Sequence, residues 1–454
     1  MSQNSKIMAT FAEKFGVMKR ILVLLCALAA FTACHDDEPE PNPQPTTERT
    51  VLVYMAGENN LTVTSRGERF LCVDLAEIVE GSKRLTDNQR LLVFVDSLND
   101  ARKTDTPVIL EVKGGKTTVL HRFSNDFYSC DPARFREVVQ YAETNAPARS
   151  YGLVLWGHAS GWTVSSDSIA SARTVTRAYG QDNGTDHGGS LKWMNITQMA
   201  RALEGLPKLD FIFADCCNMM CAEVGYELRN VTDYLIGSPA EIPGDGAPYT
   251  KIVPLLYKNG SELYRGIIDT YYDHYLEEYQ NDRELDGCSV PLSVIDMKYI
   301  SELAQATHDV LGTFADGYPS YPESPDLEGH VFYWYFDSPI MYDMRAFIKR
   351  NTTQSVFNTW DRSFKKAVPY YRMSKEWMTI YEDLYYAFTE FTDEVSDDGC
   401  VSMFIPVNDF NYYYGTFDYI ETFNNFGWNS VVDWSRFGWS SSSIYVRPKR
   451  NRAE

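Results

Sequence analysis

Residues 151–162 read YGLVLWGHASGW, and residues 209–219 read LDFIFADCCNM. Each opens as a short apolar run and then breaks into small or reactive residues. A run that is apolar along nearly its whole length suits a strand covered on both faces, because a strand with one wet face alternates apolar and polar positions. The same pattern recurs at 50–56 (TVLVYMA) and 91–96 (LLVFVD). Between these runs, apolar residues fall at helical spacing in 132–145, 194–206 and 221–230. Residues 108–112 and 117–123 flank Gly114 and Gly115 and predict a hairpin. A further short strand is expected at 234–236. Strands separated by helices predict an α/β fold, with a mostly parallel central sheet flanked by helices on both faces.

Beyond residue 250 the pattern is richer in helix, at 263–279 and 299–314, with strands expected at 289–295 and 401–406. The chain therefore divides into a core, 50–250, and a helix-rich C-terminal part, 251–454, that completes the fold. Residues 163–190 stand apart. They are rich in Ser, Thr, Asp and Gly and read as a long exposed loop, a feature usually tied to function when it lies inside a domain.

Residues 18–34, MKRILVLLCALAAFTAC, place two basic residues before an apolar run too short to span a bilayer, followed by small residues and a cysteine. That is the plan of a secretory signal. Thr32-Ala33-Cys34 resembles a lipobox, so Cys34 is the expected lipidation site, although Phe31 departs from the usual aliphatic residue. Residues 1–34 are read as a signal segment of lipoprotein type. Residues 35–49, acidic and proline-rich, are read as an extended tether. The expected location is the outer membrane or surface of a Gram-negative bacterium. No second run between 50 and 437 is long enough to cross a membrane.

The formal net charge is −20, with 62 acidic against 42 basic residues, which argues against a nucleic-acid partner because phosphate binding needs a basic face. Of nine cysteines, Cys26 and Cys34 belong to the signal segment. The remaining Cys72, Cys130, Cys216, Cys217, Cys221, Cys288 and Cys400 are odd in number and lack the spacing of a disulfide framework or a zinc site. At least one thiol in an exported chain is left needing a purpose.

In parallel sheets the chemistry sits just past the carboxyl ends of the strands. That points to residues 57–60, 96–98, 157–162, 215–219 and 237–249. Two of these loops carry a nucleophile and a base: Gly157-His158-Ala159-Ser160-Gly161-Trp162 and Asp215-Cys216-Cys217-Asn218-Met219. An imidazole beside a thiol can hold it partly as thiolate near neutral pH. Taken singly, a cysteine after a strand is usually a small buried residue and a histidine is usually only hydrogen-bonded. Their joint position is what argues for catalysis.

Residues 51–61 (VLVYMAGENNL), 151–162, 210–228 (DFIFADCCNMMCAEVGYEL) and 237–249 (GSPAEIPGDGAPY) resemble the best-marked blocks of the clostripain family. Fainter likeness continues at 342–347, 399–406 and 428–437. The resemblance implies a caspase-like fold and a cysteine endopeptidase acting on protein or peptide substrates. It implies that His158 is the acid–base partner. Counting back from Glu223 in the helix that follows implies Cys217 as the nucleophile, with Cys216 as the alternative. The resemblance associates Asp215 with a pocket for a basic P1 side chain, and a carboxylate suits Arg or Lys there. The other reading is that Asp215 caps the following helix. The amides of Gly157 and Cys217 are the expected oxyanion donors, and no third orienting residue is evident. Ala247 stands where the family often has Trp, which leaves the P1 preference less secure than the chemistry.

Clostripain-type enzymes are cut between the histidine and cysteine strands, so Arg173 and Arg177 in the polar loop are candidate self-cleavage sites. No cofactor is required for the chemistry. Calcium is possible by resemblance, with Asp182 and Asp186 among the available acids, but no EF-hand spacing is present and no metal ligand is assigned. G-x-S-x-G, P-loop and H-E-x-x-H motifs do not occur. Two further readings remain: a catalytically silent surface lipoprotein that uses the fold as a binding module, and an enzyme with acidic P1 preference, which Asp215 disfavours.

Overall fold

A computed structural model describes residues 47–98, 106–163, 179–185, 188–281, 290–314, 318–320, 323–336, 338–374, 377–381, 384–387, 396, 398–407 and 426–439. The elements in chain order begin with β1 (Thr47–Gly57), α1 (Phe70–Gly81), β2 (Gln89–Ser97), β3 (Val108–Lys113), β4 (Lys116–Arg122), α2 (Pro132–Asn145) and β5 (Ala148–Trp156). Then follow β6 (Tyr179–Asp182), β7 (Lys192–Met194), α3 (Ile196–Leu203), β8 (Leu209–Asp215), α4 (Ala222–Leu228), β9 (Thr232–Gly237), the short α5 (Tyr249–Ile252) and α6 (Gly260–Asn281). The remainder comprises β10 (Leu292–Asp296), α7 (Met297–Leu311), β11 (Phe332–Phe336), β12 (Ser338–Asp343), α8 (Met344–Asn351), α9 (Gln354–Ala367) and β13 (Tyr370–Arg372). It ends with the hairpin of β14 (Met378–Tyr381) and β15 (Leu384–Ala387), then β16 (Ser402–Met403) and α10 (Gly427–Val432).

The main sheet has nine strands in the order β13-β10-β9-β8-β5-β1-β2-β3-β4. Its centre, β9-β8-β5-β1-β2, is parallel, and β10 and β3 join it antiparallel on either side. The expected α/β fold with a mostly parallel sheet is therefore observed. Side chains alternate between two cores, as a period of two demands. Leu52, Tyr54, Leu153, Leu155 and Ile212 enter one core with α2, α3, α4 and α7. Val51, Val53, Val154, Phe211 and Phe213 enter the other with α1 and α6. Both faces are covered, which is why these strands read as continuous apolar runs. Burying one such Phe or Ile contributes roughly 1.5–3 kcal/mol.

Gly114 and Gly115 have φ of 58° and 78°, the left-handed pair that closes the β3–β4 hairpin. Asp131 caps α2 by accepting from the Ala133 amide at 2.7 Å. The N-terminal strand starts at Thr47, inside the stretch read as tether. Arg49 draws it in: the side chain is buried, pairs with Asp210 and donates to Leu256 O at 3.0 Å and Asn259 Oδ1 at 2.7 Å.

The loop reading of 163–190 is corrected in part. β6 lies within it, pairs with β7 and is buried at Tyr179, Gly180 and Asp182. The Tyr179 hydroxyl donates to Tyr54 O at 3.2 Å, so one aromatic anchors an otherwise polar stretch under the sheet. Four residues are too few to show a period. Arg173 and Arg177 lie outside the described residues, as do Cys34, Asp186, Cys288 and the whole of 1–46. No helix among the described residues is long and apolar enough to cross a membrane.

Strands from beyond residue 250 complete the sheet, and residues 400–405 pack on the two loops that carry Cys217 and His158. Ser402 N donates to Met220 O at 2.9 Å, and Phe404 stacks edge-on to Trp162 with centroids 4.9 Å apart. Glu223, fully buried in α4, accepts from Phe404 N at 2.8 Å. Burial raises its carboxyl to about 8, against hydrogen bonds that lower it. Glu223 thus stays protonated in the fold where the unfolded chain ionises it, so its contribution to stability falls as pH rises from about 4.5 to 8 and is flat above. Glu223→Gln should remove this fall. Denaturant melts between pH 5 and 8 should show the variant gaining on the wild type by up to a few kcal/mol, at about 1.4 per pKa unit. Parallel pH dependences would contradict this assignment.

Candidate active site

β5 and β8 are parallel neighbours, and Trp156 lies opposite Asp215 in their register. Two residues further on each chain stand His158 and Cys217, so the two come off adjacent strand ends at one edge of the sheet. Adjacent strands lie about 4.8 Å apart. The turn after β5 needs glycine at 157: its φ is 139°, and a Cβ there would come within 2.9 Å of Ala56 O. The two loops touch. A Cβ on Gly161 would lie 2.3 Å from Asn218 O and 2.6 Å from Cys221 Sγ. Asn218 itself adopts φ 60°, a conformation Asn tolerates better than most side chains. Its carbonyl is held by Cys221 Sγ at 2.9 Å, and its amide donates to Ala240 O at 2.9 Å.

The doubled cysteine splits across the sheet. Cys216 points into the core with Ala214 and Tyr179 and is 1% exposed. Burial, then the nearness of Cys217 and Asp215, pushes its thiol well above the ordinary range. Cys217 lies on the opposite side, packed against the core of α1 and α6, and is half-buried. His158 is also half-buried. Its Nε2 lies 2.7 Å from Asn60 Oδ1. An amide oxygen only accepts, so this contact puts the proton on Nε2 and leaves Nδ1 as the basic nitrogen. Gly180 N donates to His158 O at 2.9 Å, and Ala159 bridges to Tyr179. β6 therefore holds the backbone of the histidine loop. Asn60, in the loop after β1, thus fixes the His158 ring, a contact that the sequence did not show.

Asp215 does not cap the helix that follows. It is buried and accepts from Tyr249 Oη at 2.7 Å, Ala247 N at 3.1 Å and Tyr271 Oη at 2.9 Å. Burial raises its pKa while these donors lower it. Ala247, which departs from the family pattern, thus takes part through its amide. A second buried carboxyl, Asp74 on α1, stands close by and accepts from Trp156 Nε1 at 2.6 Å. Burial, then repulsion from Asp215, raises Asp74 to about 9. Gly246 closes over both, since a Cβ there would lie 3.0 Å from Asp215 Oδ2 and 3.3 Å from Asp74 Oδ2. Asp74 escaped the sequence reading because it sits among the apolar positions of a helix; that odd placement was its only signal.

On the other face, Glu58 after β1, Asp96 in β2 and Asp182 in β6 bring carboxylate oxygens together, all three residues being buried. The donor set is oxygen only, the chemistry of a hard cation, and so fits calcium. Asp182 was named from the sequence as an available acid; Glu58 and Asp96 were not.

A family comparison matches residues 53–439 to Peptidase C11, the Clostripain family. The chain belongs to the clostripain family. Among solved structures it is similar to a secreted C11 cysteine protease from Bacteroides thetaiotaomicron in complex with an irreversible peptide inhibitor, with 28% identity and a TM-score of 0.67 over 86% of this chain and 99% of that one. It is similar also to an inactive zymogen C11 protease from Parabacteroides distasonis, with 26% identity and a TM-score of 0.65 over 86% and 99%. Comparison with curated proteins gives no match. The clostripain family membership carries the caspase-like α/β fold and a cysteine peptidase framework to this chain.

The exposure pattern makes a direct forecast. Brief alkylation of the native protein should modify Cys217 and the half-buried Cys72, while Cys130, Cys216, Cys221 and Cys400 stay protected until unfolding. If His158 activates Cys217, that thiol should outpace Cys72, and His158→Ala should erase the difference. Peptide mapping of labelled sites reads both outcomes, and labelling at Cys216 in place of Cys217 would reverse the assignment.

Proposed function

We propose that this protein is an exported cysteine endopeptidase that cuts after Arg or Lys, with Cys217 as nucleophile and His158 as acid–base partner. The observation that carries the reading is the shared strand-end position of the half-buried Cys217 and a His158 whose tautomer Asn60 sets. The Cys217 thiolate attacks the scissile carbonyl, forming a C–S bond. The proton from the thiol, held on His158 Nδ1, passes to the departing amine as the C–N bond breaks. Water then loses a proton to His158 and displaces the thiolate, releasing the acid. The amides of Gly157 and Cys217 are assigned to the oxyanion, at about 3 kcal/mol per donor.

A pair of buried carboxyls on the Cys217 side of the sheet supports the P1 preference. Asp215 and Asp74 lie on the same face as Cys217, and a P1 guanidinium or ammonium would neutralise a pair that repels itself. Asp74, protonated in isolation, would ionise as the cation enters. Export is supported by the signal plan of 18–34 and by the secreted relative. Lipidation at Cys34 and an outer-membrane location remain part of the proposal. Family membership favours turnover over the silent-module alternative.

A peptide electrophile with Arg or Lys at P1 should label the wild type at Cys217 and fail on Cys217→Ala and His158→Ala, while Cys216→Ala keeps most of its labelling. Asp215→Asn should weaken labelling by Arg and Lys probes and leave a neutral-P1 probe little changed. A dead Cys216→Ala beside a normal Cys217→Ala would move the nucleophile by one residue.

Self-cleavage after Arg173 or Arg177 belongs to the same proposal. The zymogen state of the Parabacteroides relative supports it. The two chains would stay together, because β5 before the cut pairs with β8 after it. Incubated wild type should yield fragments ending at one of these arginines, read by mass spectrometry, and Cys217→Ala should stay whole. Full-length wild type with undiminished activity would overturn it.

A further inference from the structure

We infer that Trp193 is a positioning residue for His158, a wall that holds the plane of the imidazole in line for proton transfer; this rests on the reading of His158 as acid–base partner. The indole and imidazole centroids lie 6.5 Å apart, with the planes tilted by 49°. That is within the range over which aromatic rings interact. Trp193 is the middle residue of β7 and is 2% exposed.

The two cores of the sheet do not account for that burial. Side chains alternate along a strand, so Trp193 and Met194 face opposite ways. Met194 enters the core that holds Tyr179 and Ala159, whereas among the described residues neither core includes Trp193. Its Nε1 is buried without a hydrogen-bond partner among the described residues. A buried indole N–H usually finds an acceptor, and leaving one unmet costs free energy. A large ring kept outside both cores at that cost is there for what it touches, and the aromatic ring beside it is that of His158.

The contact supplies what the other holds on His158 leave open. Asn60 Oδ1 accepts from Nε2 at 2.7 Å, and Gly180 N donates to the backbone oxygen at 2.9 Å. Each acts at one atom. The outer torsion of a histidine side chain is broad, so a ring held at a single nitrogen can still tilt. A packed indole limits the tilt. The indole is itself fixed, because the adjoining Met194 pairs with Tyr179, and Tyr179 bridges to Ala159, the neighbour of His158. The contact also spans the proposed self-cleavage sites, since His158 precedes Arg173 and Arg177 and Trp193 follows them. A cut there would leave the histidine on one chain and its wall on the other.

The test compares wild type, Trp193→Leu, Trp193→Phe and His158→Ala on a peptide substrate with Arg at P1. Trp193→Leu should lower kcat roughly 10–100-fold while KM stays within about twofold, because a misplaced catalytic group slows the chemical step and Trp193 is too buried to hold substrate. Trp193→Phe should recover most of the rate by restoring a ring. Histidine labelled at Cε1 gives a magnetic-resonance readout that needs no turnover. The His158 signal, identified by its loss in His158→Ala, should be displaced by the indole ring current in the wild type. It should return to the free-imidazole position in Trp193→Leu and stay displaced in Trp193→Phe. Trp193→Met takes the place of Trp193→Leu if that variant fails to fold. Wild-type kcat in Trp193→Leu beside an inactive His158→Ala would overturn the positioning role alone. Wild-type kcat in His158→Ala would overturn the reading on which the role rests. Equal losses in the Leu and Phe variants, matched by equal falls in melting temperature, would make Trp193 a packing residue only. A raised KM at unchanged kcat would make it a substrate contact, and either result overturns the inference.

Discussion

The parallel pairing of β5 with β8 is the constraint from which the rest follows. Parallel neighbours run the same way, so both must end at the same edge, and whatever follows each strand is delivered there together. With Trp156 opposite Asp215, the residues two steps on are His158 and Cys217. The pairing survives only because both strands are covered by helices, whose cores take alternate side chains from each strand. That alternation then sorts the two adjacent cysteines. Cys216 follows Ala214 into one core, and Cys217 follows Phe213 and Asp215 toward the other, where a half-exposed position awaits it.

The same edge concentrates buried carboxyls, on both faces. Asp215 and Asp74 gather on the α1–α6 side, and Glu58, Asp96 and Asp182 gather on the other. Leaving water costs each of these groups, and the fold answers differently on each side. Around Asp215 it supplies two tyrosine hydroxyls and an amide. Around Asp182 it supplies Ser129 and the Gly184 amide, while one Asp96 oxygen is given no donor. On both sides burial and the neighbouring acids raise the carboxyls above the usual range.

The C-terminal part is structural support as much as an appendage. β10 and β13 extend the main sheet, and residues 400–405 lock onto the cysteine turn through Ser402 and onto α4 through Glu223. The histidine loop is braced from another quarter, by β6. The two loops thus rest on segments far apart in the chain, and a Cβ-free Gly161 lets them meet. Their alignment depends on the whole fold being closed rather than on either loop alone.

The apolar runs at 50–56, 91–96, 151–156 and 209–214 and their spacing by helices determined the sheet, because a strand buried on both faces must be apolar throughout, and that pattern is local. The glycines and reactive residues after two of those runs determined the candidate loops for the same reason. What the tertiary structure alone decided depends on contacts between distant segments. Asn60 reaches His158 across 98 residues, and Asp74 reaches Trp156 across 82. β6 could not be seen because four residues carry no period, and its burial comes from distant partners: Tyr179 bonds to Tyr54, Gly180 to His158 and Asp182 to Ser129. Glu58 and Asp96 lay in strand-end stretches to which the sequence pointed, but nothing local joined them to Asp182 until β6 packed beside them. Which of two neighbouring thiols faces solvent was likewise undecided in one dimension, because it turns on which face of the sheet each side chain takes and on what packs there.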